Sequence, residues 1–170
     1  MKNLTLALDV STLSTGWAVF DGSQLVQSGI LKHKGKSYFE RARFMANELR
    51  AIQSQAITRY QKPFDSIAVE QNTVLGPNQQ SSIKIGIATG VILSKLIADN
   101  LYFINVSTWR KYWRFSYKDR SKKSMKKQAV AKVADNFSKS VKDDEADAIL
   151  LGSYFVNQGY DEQLDSHRYY

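Results

Sequence analysis

Four carboxylates in this chain combine residue type and spacing suited to metal-assisted chemistry: Asp9, Glu70, Asp144 and Asp147. Asp9 closes the mostly apolar "NLTLALD", and Glu70 closes "SIAVE". Asp144 and Asp147 lie in "VKDDEADAILLGSYF", where four carboxylates fall within positions 143–147. Residues three apart on a helix share a face, and the carboxyl ends of strands in an open α/β sheet form its usual ligand crevice. A helix docked over such a sheet could bring Asp144 and Asp147 to Asp9 and Glu70. Four carboxylates in a partly desolvated crevice would repel by several kcal/mol unless cations sat between them. Two Mg2+ ions roughly 3.5–4 Å apart would resolve this, one activating a water and the other stabilising the leaving oxygen of a phosphodiester. Mn2+ is expected to substitute.

Each residue also has an ordinary explanation. Asp9 could start a turn into "VSTLSTG", and Glu70 could be an exposed strand end. Asp143, Asp144 and Glu145 could serve only the helix N-terminus and its dipole. Asp147 is harder to explain away: it sits one turn in, beside Ala146 and Ala148 and before "ILLGSYF", where an unpaired carboxylate is costly. Asp143 with Asp147, four apart, is an alternative pairing to Asp144 with Asp147.

Composition narrows the chemistry further. The 170 residues fit one domain, expected over 1–159 with a C-terminal tail at 160–170. There is no Cys, and His33 and His167 are the only imidazoles, so a metal would be held by oxygen. The N-terminus reads as a core strand rather than a signal peptide, and no apolar run is long enough to cross a bilayer, so a soluble intracellular protein without a membrane partner is expected. The net charge is +8, and half of the 24 basic residues lie within 107–142, opposed there only by Asp119 and Asp135. Trp109, Tyr112, Trp113, Phe115 and Tyr117 interleave with these cations, which fits bases and phosphates better than a plain solvated face. Lys111, Arg114, Lys118, Arg120, Lys122, Lys123, Lys126 and Lys127 are the candidate nucleic-acid contacts.

The elements that must position these residues follow from periodicity. Residues 3–9, 15–21 and 23–32 read as three antiparallel strands, with Asp21-Gly22 as a hairpin signal. Helical spacing runs over 37–60, with Ser37 as N-cap and Pro63 ending it. A strand at 65–71, a Gly-Pro-Asn loop, a helix over 80–99 and a strand at 101–107 make a parallel unit. Helical spacing returns at 107–113, 124–137 and 143–159, and 116–124 is expected to be a mobile loop. This order gives an α/β fold, a five-stranded mixed sheet with helices on its faces. On the helix over 80–99, Ile83, Ile87, Val91 and Ser94 form a stripe, and Ile85, Ile92 and Leu96 widen it beyond what one sheet face needs. Gly86 and Gly90 leave room for a second helix, so this stripe is the candidate homodimer interface.

The sequence resembles the RuvC-type Holliday junction resolvases of the RNase H-like superfamily over about residues 4–156. "LALDVSTLSTGWAVF" is similar to the family's first catalytic strand and hairpin, and "SIAVEQ" to its second motif. "SSIKIGIATGVIL" resembles the helix that follows, and "DDEADAILLGSY" the Asp-x-x-Asp-Ala that opens the last one. The resemblance implies an RNase H-like fold with helices on both faces, with Asp9, Glu70, Asp144 and Asp147 as catalytic Mg2+ ligands, and it favours Asp144 over Asp143. It also implies a homodimer that makes paired nicks in branched DNA, in the cytoplasm of a bacterial or phage-infected cell. Where the family often has an aromatic after its Glu-Gln, this chain has Asn72, Thr73 and Val74. Two other functions compete: an RNase H-like nuclease acting on RNA, and a branched-DNA-binding protein without catalysis. An actin-like phosphotransferase would need a second lobe for which the chain has no room.

Overall fold

In a computed structural model, which describes residues 4–71 and 79–158, five strands form one sheet in the order β3-β2-β1-β4-β5. The strands are β1 (Leu4–Val10), β2 (Ser14–Asp21), β3 (Gln24–Lys32), β4 (Phe64–Gln71) and β5 (Asn100–Asn105). The first three pair antiparallel, and β1, β4 and β5 are parallel to one another, as the sequence leads one to expect. The expected tail at 160–170, His167 and the segment 72–78 with Asn72, Thr73 and Val74 lie outside the described residues. Among those that are described, no helix is long and apolar enough to cross a membrane.

Strand alternation splits the core in two. Leu4, Leu6, Leu8 and Val10 of β1 face α1 (Tyr38–Tyr60) and α2 (Gln79–Leu93). Ala7, with Ala18 and Phe20 of β2 and Ala68 of β4, faces the other side, towards α3 (Val106–Tyr112), α4 (Lys122–Phe137) and α5 (Asp143–Gln158). The long helix α1 is amphipathic, burying Ala42, Met45, Ala46, Leu49, Gln53 and Ala56 on one face. Ser37 caps its start by accepting from the Glu40 N–H, and Glu40 in turn accepts from the Lys36 N–H, close to a capping box. Its end is set by Gln61 in the left-handed region at φ 52°, with its N–H on the Ile57 carbonyl, before Pro63 is reached.

Two helices depart from expectation for local reasons. The α2 helix stops at Leu93 rather than running to 99, because buried Gln53 claims both backbone groups of Ile97. Its Nε2 donates to the Ile97 carbonyl at 2.5 Å, and its Oε1 accepts from the Ile97 N–H at 2.9 Å. The α4 helix starts at Lys122, two residues early, because Ser121 caps it through the Ser124 N–H. The loop before it is tied rather than free: Gln128 bonds both the N–H and the carbonyl of Ser116, at 2.8 and 3.0 Å.

The contact that matters most for function is α5 against the sheet. This helix lies across β1 and β2 on small residues. A Cβ placed on Gly16 would stand 1.8 Å from the Asp144 carbonyl oxygen, and one on Gly152 would stand 2.4 Å from the Phe20 ring. Neither position has room for a methyl group, so glycine sets the depth at which α5 docks. Gly16→Ala must lift the first turn of α5 and is expected to cost about 2–3 kcal/mol, as overpacking typically does. Thermal or denaturant unfolding reads this directly, and wild-type stability in the variant would mean that the helix docks less tightly than the glycine indicates.

Candidate active site

The carboxylates reach one place because of register. Leu8 of β1 pairs with Val69 of β4, so the next residues along the two strands are Asp9 and Glu70. Both fall on the α5 side, two positions after Ala7 and Ala68. Asp9 is also paired with Gly16, the residue on which α5 lands. Asp144 and Asp147, three apart on the first turns of α5, thus come down over the strand ends. All four line one cleft of about 770 Å3 together with Asp143.

Burial shapes the charges there. Burial, followed by the charges of Glu70, Asp147 and Asp144, holds the Asp9 carboxyl well above its ordinary range. Burial also raises Glu70, opposed by the Arg110 guanidinium and by the Trp109 indole N–H, which donates to Glu70 Oε2 at 3.1 Å. Asp147 is only 6% exposed, and its Oδ1 is buried without a hydrogen-bond partner among the described residues. Burial, then the Glu70 charge, pushes it up to about 7.

Asp144 has organic partners. It accepts from the Ser14 hydroxyl and from Lys126 Nζ, the latter at 3.1 Å. The same ammonium bridges to Asp143, whose carboxyl it holds below the usual range. With Glu70 turned to Trp109 and Asp144 to Ser14 and Lys126, no three Asp, Glu or His side chains among the described residues are arranged to hold a metal ion. The donor set still fits a hard divalent cation. It is all oxygen, it concentrates negative charge in a partly desolvated cleft, and it leaves the buried Asp147 Oδ1 without a partner. Of the two neighbouring aspartates, Asp144 is the more enclosed, with 18% of its side chain exposed against 36% for Asp143.

The basic residues divide into groups. Arg120 and Lys122 line the carboxylate cleft with Lys126, while Lys111 and Arg120 line an adjoining pocket with Tyr117. Lys111, Arg114, Lys118, Lys123 and Lys127 are exposed. The aromatics divide too. Trp109 and Phe115 are buried, and Trp113 donates to the Leu150 carbonyl at 2.9 Å, so these three belong to the core. Tyr112 and Tyr117 keep exposed faces. Glu145, which by sequence could serve only the helix N-terminus and its dipole, accepts from Ser28 and Lys139, both at 2.8 Å, and ties α5 to β3.

Arg110 is the main residue that sequence reasoning misses. Its guanidinium lies 5.1 Å from the Trp109 ring centroid and 5.6 Å from that of Phe115, and its Nε is buried without a partner among the described residues. It lines both the cleft and the adjoining pocket. Only its place directly after Trp109 singles it out among twelve neighbouring cations.

A pH dependence follows for the metal-free protein. Asp147 keeps its proton up to about pH 7 when folded and releases it near about 3.9 when unfolded. Between these values the folded state binds the extra proton, so its stabilising effect is complete below the window and is lost as pH rises through it. With chelator present, Asp147→Asn should therefore raise the thermal midpoint at pH 8 and reduce its decline between pH 5 and 8. An equal decline in variant and wild type would assign the titration elsewhere.

Comparison with known proteins places the fold. No curated protein matches the sequence. Among solved structures, Thermus thermophilus RuvC in complex with a Holliday junction substrate is 14% identical, with a TM-score of 0.62 over 92% of this chain and 96% of that one. The yeast mitochondrial Holliday junction resolvase Ydc2 is 11% identical, with a TM-score of 0.55 over 98% and 82%. The manganese-soaked, inhibitor-bound human cytomegalovirus terminase nuclease domain is 13% identical, with a TM-score of 0.50 over 98% and 87%. At these identities the likeness is one of fold, and the fold is RNase H-like of the RuvC type. The sequence itself matches the family model for a phage protein over residues 1–157, and the chain belongs to that family, DUF3882, Lactococcus phage M3 protein.

Proposed function

We propose that this protein is a metal-dependent endonuclease that cuts branched DNA by paired phosphodiester hydrolysis. One observation carries the reading: carboxylates from β1, β4 and α5 converge in a single cleft, one of them with a buried, partnerless oxygen, beneath a rim of cations. The fold, shared with a RuvC solved on a Holliday junction substrate, supports it. Asp9, Glu70, Asp144 and Asp147 would hold Mg2+, with Mn2+ as a substitute. Bound divalent ions supply an activated water and stabilisation of the leaving oxygen. The chain's own residues do the rest. Asp9 and Glu70 stand on rigid strand ends, which fixes the position of their charge. Arg110, braced on two aromatic rings, offers its guanidinium to a phosphate at the cleft edge. Lys126 neutralises Asp143 and Asp144, the one cation among the described residues that pairs with them.

Paired nicks require two cleavage sites related by a two-fold axis, and α2 offers the surface for a homodimer. Ile83 is 54% exposed and Ile87 is 40% exposed, with exposed Gly86 and Gly90 completing the same stripe. Val91, the third residue of the expected interface, is partly buried against the α1-side core, so it contributes less to that surface. Ile87→Asp is therefore the cleaner test than a change at Val91. It should give a folded monomer by sedimentation that has lost paired nicking. A wild type that is monomeric at micromolar concentration and still nicks in pairs would rule the dimer out.

The catalytic assignment is tested with four-way, three-way, flap and linear DNA and matched structured RNA, with and without Mg2+. Asp9→Asn, Glu70→Gln and Asp147→Asn should each lower cleavage roughly a hundredfold or more, since metal stabilisation of the transition state is worth several kcal/mol. Affinity for the junction should hold or rise, because a less negative cleft repels phosphate less. Wild-type rates in any of these variants would remove that residue from the site. Cleavage confined to RNA would replace the substrate class.

A further inference from the structure

Outside the carboxylate centre, the segment 32–44 carries Lys32, Lys34, Lys36, Arg41 and Arg43 against Glu40 alone. It joins β3 to α1, at the opposite edge of the sheet from β5, which leads into α3 and Arg110. Lys32 lines the carboxylate cleft and is paired across the ladder with Ser14, whose hydroxyl bonds Asp144. Lys34, Lys36 and Arg43 are exposed.

A run of surface lysines is ordinarily a solvated face. Two features set this one apart. Its backbone is held by side chains that spend their bonding capacity on it. Arg41 Nε donates to the Thr12 carbonyl at 2.8 Å, and its Nη1 donates to the Gly35 carbonyl at 2.7 Å, so one guanidinium joins the β1–β2 loop to the β3–α1 loop. The His33 ring, between Lys32 and Lys34, stacks on Phe44 with centroids 3.8 Å apart and planes 14° from parallel. Cations on an ordered loop lose less freedom on meeting a ligand. The second feature is position. Asp9 and Glu70 sit on the central strands, Lys32 ends the edge strand β3, and Arg110, which shares a pocket with Arg120, follows the opposite edge strand β5. A backbone crossing the cleft would meet cations on both sides of the acidic centre.

We propose that this segment is a second phosphate-binding track, holding a DNA duplex arm on the far side of the cleaved bond. Lys32 meets the backbone at the cleft, and Lys34, Lys36 and Arg43 follow it outward. Arg41 is the positioning residue that keeps the track level with the cleft rim. The proposal rests on the nuclease reading above and deepens it, since it assigns to the substrate the cations that follow the edge strand β3 as well as those at 110–127.

The test is the salt dependence of binding to a four-way DNA junction, read by fluorescence anisotropy. Each lost phosphate contact lowers the slope of log affinity against log salt by about 0.9. Lys34→Ala with Lys36→Ala should reduce the slope by about 2, with the thermal midpoint unchanged because both side chains are exposed. Lys34→Arg with Lys36→Arg should restore it, as a charge contact would and a specific lysine packing role would not. A wild type that binds steeply, with the same slope in the alanine pair, overturns the track and leaves the nuclease reading standing. A wild type that binds no DNA at all overturns the nuclease reading, and the track with it. A slope that changes only on structured RNA overturns the assignment to a DNA arm.

Discussion

The acidic end of α5 rests directly on the backbone of β2, at a point where Gly16 has no side chain to keep it away. That contact places Asp144 and Asp147 within the field of Asp9 and Glu70 in a partly desolvated cleft. The surrounding sequence serves the same geometry. Ala7, Ala18 and Ala68 keep the sheet surface low beneath the helix, and Gly152 lets its second half pass over Phe20. Glu145 anchors the same turn sideways to β3 through Ser28 and Lys139. A helix N-terminus favours nearby negative charge, but that effect is too small to assemble four carboxylates. Packing of an apolar helix behind them holds them together.

The cleft therefore carries an electrostatic debt that the protein meets in three ways. Burial and mutual repulsion raise Asp9, Glu70 and Asp147 towards their protonated forms. Arg110 and the Trp109 N–H act against this at Glu70. Lys126 covers the Asp143–Asp144 pair with a tethered ammonium. The Asp147 Oδ1, without a partner among the described residues, marks where this compensation stops.

Much of this was legible in the sequence because it follows from periodicity. The alternation in "NLTLALD" and "SIAVE" puts Asp9 and Glu70 on strand ends, and the three-residue spacing of Asp144 and Asp147 puts them on one helix face. The antiparallel half of the sheet followed from three short strands before the first helix, and the RNase H-like order from the resemblance to RuvC-type resolvases. What escaped notice depends on contacts between distant residues. Gln53 and Ile97 are far apart in sequence, and nothing local marks the place where their pairing stops α2. Arg110 looks like its neighbours until Trp109 is seen to be buried against Glu70. Lys126 reads as one more lysine in a basic helix, and only the approach of α4 to α5 turns it towards Asp143 and Asp144.

The Gln53 clasp has a mechanical consequence. The α2 helix buries only Ala88 and Ile92 fully, and it packs mainly on α1 rather than on the sheet. Its connection to β5 is pinned by the two hydrogen bonds of a single amide. Releasing that amide would free α2 while leaving the strand ladder and the docking of α5 intact, so this helix can open locally without the rest of the fold. Slow amide exchange should accordingly persist across β1, β2 and β4 long after α2 has exchanged. The helix that presents Ile83 and Ile87 is thus held to the single chain mainly by α1 and by one side-chain amide.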